Sequence, residues 1–315
     1  MNRKSGNSKV TILDFWAKRR CKKQSNLFFT TLIIGMIGIS GNFYSCYEPK
    51  EGCLDLEATN YDVTADDPCN GCCNYPALNI AFRHLYIPPD LLDTTIFFRY
   101  NNFYPVPDNP LDTFTVERTR FFLSNIRLVR PDGSELHVMD SITIDVNGTS
   151  TRIADNFAKV DRDIFQTVNI GTIITEGKFS AVRFNVGLDD FLLNTDPESV
   201  PTTSQLNVRN DTLLYMDTIN ISYLSALVVF NQDTIAVQDS TVVQIFEQTN
   251  LIEVPFEEVF QLDPGFNIKV TIDINYWQWF QGIDIKNTDQ NQVNAALRNQ
   301  ILENIAASFS IFKIE

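Results

Sequence analysis

Histidine is nearly missing from this chain: its 315 residues include two, His84 and His137. No Gly-x-Ser-x-Gly elbow, His-Glu-x-x-His pair or phosphate-cradling glycine loop occurs. The 242 residues after Cys73 hold no cysteine, so Ser-His and Cys-His catalysis have almost no candidates there. Gly and Pro are modest at 13 each and Phe reaches 24, which excludes a disordered or collagenous chain. No apolar run reaches the ~20 residues that a spanning helix needs. Basic residues are scarce past the first 45 positions. Those positions take eight of the 25 Lys/Arg and one of the 39 Asp/Glu, leaving 17 against 38, a net charge of −21 for residues 46–315. Such a body repels phosphate backbones, which argues against nucleic acid as a partner. Acidic pairs at Asp189-Asp190 and Glu257-Glu258 supply the residue types of a glycosidase. In a chain this acidic they read first as solvated faces. The expectation is a protein that is not an enzyme.

What is present begins at the N-terminus. A basic cluster over Ala17–Asn26 precedes about 14 apolar or small residues, Leu27–Ser40, and then Ser45-Cys46. Basic region, short apolar region and small residue before cysteine resemble a bacterial lipoprotein signal over residues 1–45. In that family the cysteine is lipidated and becomes residue one, so Cys46 is the lipidation candidate. Ser45 fits the position before it, while Phe43 departs from the usual aliphatic residue two places earlier. The alternative is an uncleaved anchor. Either way the membrane is a partner and the expected address is the cell envelope. Glu48 and Glu51 favour onward transport to the outer membrane.

Four further cysteines, Cys53, Cys69, Cys72 and Cys73, crowd into 21 residues of the segment 46–77. An even set in a short exported segment reads as two disulfides stapling a module too small for a core. Three connectivities are open, with pairing of adjacent Cys72 and Cys73 the least favoured. Cys69-x-x-Cys72 also has zinc-ligand spacing. Gly52-Cys53-Leu54-Asp55, Ala58, Asn60-Tyr61-Asp62, Ala65 and Cys72-Cys73-x-Tyr75-Pro76 resemble a short Cys/Asp module of secreted and surface proteins of Bacteroidetes. Asp55, Asn60, Asp62 and Asp66 offer oxygen ligands for calcium, or make Asx turns.

Residues 78–315 read as mostly β, an antiparallel β-sandwich with one C-terminal amphipathic helix. Candidate strands are 78–85, 95–100, 121–130, 141–146, 179–188, 213–215, 219–230, 234–237, 242–246, 251–256 and 268–274. Pro131-Asp132-Gly133 and Asn231-Gln232-Asp233 are hairpin turns. Gln290–Ala307 spaces Val293, Leu297, Ile301 and Ile305 four apart beside Ala296 and Leu302. This is a helical stripe, capped by Thr288 or Asp289, whose apolar face packs on the sandwich.

Three blocks carry a family resemblance. Phe121-Phe122-Leu123-Ser124-Asn125-Ile126-Arg127-Leu128-Val129 is followed by Asp132-Gly133. Then come Phe179-Ser180-Ala181-Val182-Arg183-Phe184-Asn185-Val186-Gly187-Leu188-Asp189, and Ile272-Asp273-Ile274-Asn275 with Trp279-Phe280-x-Gly282-Ile283-Asp284. In order and spacing they resemble the MbnP family of copper-binding-type envelope proteins, over residues 78–315. The resemblance implies a β-sandwich that binds a metal or a protein partner. In the family, copper is held by histidines and by a tryptophan that a partner haem enzyme oxidises. It implies His84 as a copper donor here; the competing reading is an ordinary strand histidine. The stretch expected to bring a second donor, Val243-Gln244-Ile245-Phe246-Glu247, has no histidine. The tryptophan-bearing stretch is replaced by Leu214-Tyr215-Met216 through Tyr223. His137 follows the Asp-Gly turn and reads as exposed.

Asp-Ser/Thr before an aliphatic residue or Thr recurs, with Thr94, Ser141, Thr212, Thr218, Thr234 and Ser240 as the hydroxyl residues. This resembles an O-glycosylation acceptor motif; it is equally ordinary strand-entry chemistry. Two functions stay open: an MbnP-like binder of copper or of an envelope partner, and a surface adhesion or carbohydrate-recognition lipoprotein without metal.

Overall fold

A computed structural model describes residues 47–315, apart from 92–94, 165–166, 175, 208–212, 217–220, 233–239 and 288–294. Residues 48–315 form one compact unit. The cysteine-rich segment contributes only a two-residue parallel pair, β1 (Glu51–Gly52) with β2 (Asp67–Pro68).

Two sheets build the body. The smaller has the order β10 (Val168–Thr172), β3 (Ala77–Leu85), β17 (Ile268–Asn275), β18 (Phe309–Ile314). In β17 the residues alternate strictly between buried and half-buried, as a strand with one face on a core requires. β3 and β17 run parallel, Leu78 beside Ile268 and His84 beside Ile274, so the sandwich is not antiparallel throughout. The larger sheet has the order β15 (Ser240–Ile245), β14 (Ala226–Asn231), β5 (Asn109–Val129), β11 (Gly177–Val186), β16 (Ile252–Leu262). The 21-residue β5 is its spine and also pairs with β4 (Phe103–Val106), β6 (Glu135–His137) and β9 (Ala158–Asp161).

Facing apolar residues of both sheets fill one core, with Ile80, Phe121, Phe184, Val228, Ile272 and Trp279 among its members. Phe122 points the other way, into a second core under the hairpin of β7 (Ser141–Val146) and β8 (Thr149–Ala154). That is why neighbours Phe121 and Phe122 are both fully buried: the large sheet is covered on both faces. Two short antiparallel strands, β12 (Leu214–Met216) and β13 (Ile221–Tyr223), complete the set.

Several sequence expectations change. Residues 95–100 form no strand; Phe97 makes one bridge to Leu85, and the chain then turns at Asn101, φ 60°. The expected strand 219–230 breaks at Leu224-Ser225, where the buried Ser225 hydroxyl accepts from Leu188 N. β14 pairs with β15, Asn231 opposite Ser240, and on its other side with β5; the expected strand 234–237 lies outside the described residues. The late helix is α3 (Ala295–Ala306), packed inward through Ile301, Leu302 and Ile305, with Ala296 exposed. Its expected caps and Val293 lie outside the described residues. Two one-turn helices were not anticipated: α1 (Asp190–Leu193) and α2 (Tyr276–Trp279).

Candidate functional site

The parallel pairing of β3 and β17 carries His84 to the point where β17 gives way to α2. Asn275 caps that helix, its side chain accepting from Trp277 N and from Ile87 N while donating to Ile87 O. α2 therefore drops Tyr276 and Trp279 into the core. His84 is 3 % exposed, and its Nδ1 lies 2.9 Å from the Tyr276 hydroxyl. Phe98 stacks on Tyr276 at 4.1 Å. Thr119 donates from Oγ1 to the Tyr276 hydroxyl and from N to the Tyr100 hydroxyl. Burial pushes the His84 pKa down to about 3, with the Arg162 charge adding to the effect. The ring is neutral at ordinary pH and held by a phenol inside packed aromatics.

Copper needs several imidazole or sulfur donors converging. Met139 and Met216 are 62 % and 73 % exposed at the surface. His137 sits on β6, its Nε2 3.6 Å from Glu135 Oε2. In the stretch expected to bring a second donor, Val243 and Ile245 are fully buried apolar residues. Among the described residues no three of His, Cys, Asp and Glu gather as a metal site. The residues around His84 do not fit copper.

In the cysteine-rich segment Cys53 lies paired with Cys73 and Cys69 with Cys72, Cα separations 5.1 and 5.8 Å, the spacing of disulfide pairs. The candidate calcium oxygens make bonds within the segment, and no metal-holding group of three is formed among the described residues. Asp55 accepts from Glu57 N and from the Tyr75 hydroxyl. Asn60 donates to Cys72 O and accepts from Asn74 N. Asp62 accepts from Thr64 and pairs with Lys50, whose ammonium beside it, with the Thr64 bonds, lowers its pKa to about 2. Asp66 accepts from Lys50 N. These are Asx turns and ion pairs that hold a coreless segment in shape.

Cys46, Thr94, Thr212, Thr218 and Thr234 lie outside the described residues. Ser141 and Ser240 open strands β7 and β15, and both hydroxyls are bonded, Ser141 by Arg152 Nε and Ser240 to Glu117. Of the acidic pairs, Asp189 caps α1 by accepting from Leu192 N, and Glu257 and Glu258 are exposed on β16.

A pocket of about 310 Å³ with mixed polar and apolar walls lies elsewhere, where β5 and β11 pair. Their register slips between Arg183↔Arg127 and Asn185↔Ser124, leaving Asn125 as an extra residue with φ 56°. An asparagine tolerates this left-handed backbone, and the bulge turns its side chain out of the strand's alternation. Asn125 Nδ2 donates to Asn185 Oδ1, and Asn185 Nδ2 donates to Thr249 O. Behind them Ser124 Oγ donates to Gly187 O and accepts from Gln248 Nε2. Gly187, φ 95°, permits this: a Cβ there would stand 2.8 Å from Glu247 O and from Ser225. Asn156, Asp189 and the half-exposed ring of Phe191 also line it, with Ile153, Ala154, Phe157 and Leu192 as its apolar part. Of the residues singled out in the sequence, Asp189 of the acidic pair falls here, and a further signal existed. Ser124-Asn125 and Asn185 are polar residues inside otherwise apolar strand runs, and both belong to the blocks that carry the family resemblance.

A search of curated proteins finds no match. Among solved structures, MbnP from Methylosinus trichosporium aligns with a TM-score of 0.36 and 12 % identity, covering 66 % of this chain and 78 % of that one. The MbnP family model matches residues 76–296. That span runs from β3 through β17 and holds every residue of the pocket, His84 and both paired blocks. With well over half of its length matched, this chain belongs to the MbnP family.

Proposed function

We propose that this protein is a lipid-anchored, non-catalytic binding protein of the cell envelope that keeps the MbnP fold and has given up copper at His84. The observation that carries the reading is the state of that histidine: buried and hydrogen-bonded to Tyr276, with no metal-holding cluster of His, Cys, Asp or Glu among the described residues. The tether is Cys46, behind a basic and apolar leader; among the described residues no helix is long and apolar enough to cross a membrane. An acidic body with one acidic pair spent partly on a helix cap and the other exposed on β16 favours binding over turnover, and the bulged pocket gives binding a place.

Copper titration of the full-length protein in detergent tests it, with His84→Phe in parallel. Neither protein should take up copper saturably near one equivalent. Stoichiometric uptake by the unmutated protein, lost in His84→Phe, would overturn the reading. Mass spectrometry of protein from a native envelope should find Cys46 as the acylated first residue; an unmodified leader would remove the tether.

A further inference from the structure

We infer that the pocket between β5, β11 and the Gln248 turn is a binding site for a neutral pyranose, a single sugar ring or the end of a glycan. This names the ligand class of the binding function proposed above and rests on it.

Most polar atoms at this junction serve the fold. Ser124 and Asn185 direct their bonds to Gly187 O and Thr249 O, which accounts for them structurally. A remainder is left over. Asn156 lines the pocket at 6 % exposure, and its carboxamide has no protein partner among the described residues. Both ends of that carboxamide reach the pocket's solvent, where a ligand's hydroxyl can take the place of water. Asn125 has one N–H and its carbonyl oxygen unused, Gln248 has its carbonyl oxygen, and Asp189 has its second carboxylate oxygen.

The unused set mixes donors and acceptors and includes no cation. A phosphate or carboxylate ligand would find Asp189 and no counter-charge, in a body of strongly negative net charge. A sugar hydroxyl donates and accepts at once, and planar carboxamides meet adjacent hydroxyls two at a time. Phe191, 44 % exposed at the rim, offers an apolar face for the C–H side of a ring. The volume, about 310 Å³, lies at the small end of the ~300–1,000 Å³ range of ligand pockets and suits one ring. The left-handed Asn125 belongs to this design: strain and bulges gather where a side chain is being aimed.

Saturation-transfer NMR of the full-length protein, in a detergent without a sugar headgroup, tests this. The probes are methyl glycosides of glucose, galactose, mannose and N-acetylglucosamine at ~10 mM, with arginine and adenosine as controls. At least one glycoside should receive transfer. Asn156→Leu and Phe191→Ala should each weaken that binding about tenfold or more, with thermal unfolding of Phe191→Ala unchanged. Transfer to no glycoside, transfer undiminished in both variants, or a response confined to arginine or adenosine would each overturn the assignment. Copper uptake at His84 reads out separately, so failure of the proposed function and failure of this site are distinguishable.

Discussion

At Gly187 backbone conformation and packing demand the same residue. Its φ of 95° is one that side chains rarely adopt, and a Cβ would press on Glu247 O and Ser225 at 2.8 Å. Gly187→Ala should therefore cost about 2–4 kcal/mol, seen as a lower urea midpoint with an unchanged slope. His84 makes a prediction in pH. Its folded pKa of about 3 lies below the ordinary 6.5, so above pH 6.5 both states are neutral and the group contributes nothing. Below that the unfolded chain takes up a proton that the folded protein refuses. Stability then falls towards pH 3 by about 1.4 kcal/mol per pH unit from this residue alone. Urea unfolding at pH 7, 6, 5 and 4 should show that slope, reduced in His84→Phe. A slope equal in the two proteins would mean that His84 titrates normally and is not buried as described. At this scale the sequence was a partial guide. It named His84 as a copper donor or an ordinary strand histidine, and nothing in the pattern of β3 tells which, because the deciding neighbour, Tyr276, lies 192 positions away. Asn156 was invisible for the same reason: a lone asparagine in a loop acquires meaning only when β5, β11 and the Gln248 turn close around it.

Elements read better than sites. β17 and the Pro131-Asp132-Gly133 turn were legible because alternation and turn chemistry are local, and the turn does join β5 to β6. The long β5 was half seen. Its first half, Asn109–Arg118, mixes polar and apolar residues that only the pairing with β4 and β14 resolves into a strand. The helix α2 went unseen because four residues carry no period; Asn275 ahead of Tyr276-Trp277 was the available cue, as a cap. That helix is a plug. Trp279 is fully buried, its Nε1 donates to Ser308 Oγ, and Asn304 of α3 donates to its backbone oxygen. Trp279→Ala should cost about 3–5 kcal/mol by calorimetry. In the cysteine-rich segment the two bridges close loops of unequal length, sequence separations 20 and 3. Replacing Cys53 and Cys73 by Ser should lower the segment's stability by about 3 kcal/mol, against about 2 kcal/mol for Cys69 and Cys72. Hydrogen exchange of the Asp62 and Asp66 amides would register the difference.

For the whole molecule, charge is the leading quantity. A body carrying 38 acids against 17 bases repels itself, and its ion pairs, such as Arg183 with Glu135 and Glu253, offset only part of that. Raising ionic strength from ~0.01 to ~0.15 M shortens the screening length from about 30 to about 8 Å. The melting temperature should rise across that range, and a fall would mean that attractive pairs dominate. The fold class and the family were both legible, since strand spacing and the three blocks of the resemblance survive without knowledge of contacts.

The parallel seam between β3 and β17 has a consequence in time. As the chain emerges, Leu78 has to wait for Ile268, and the spine β5 is built long before the smaller sheet can close. Until then β3 has no neighbour on that side, and the apolar residues facing it stay uncovered. Long-range pairing of this kind folds slowly, in milliseconds to seconds. The smaller sheet is therefore the part of the fold that closes last.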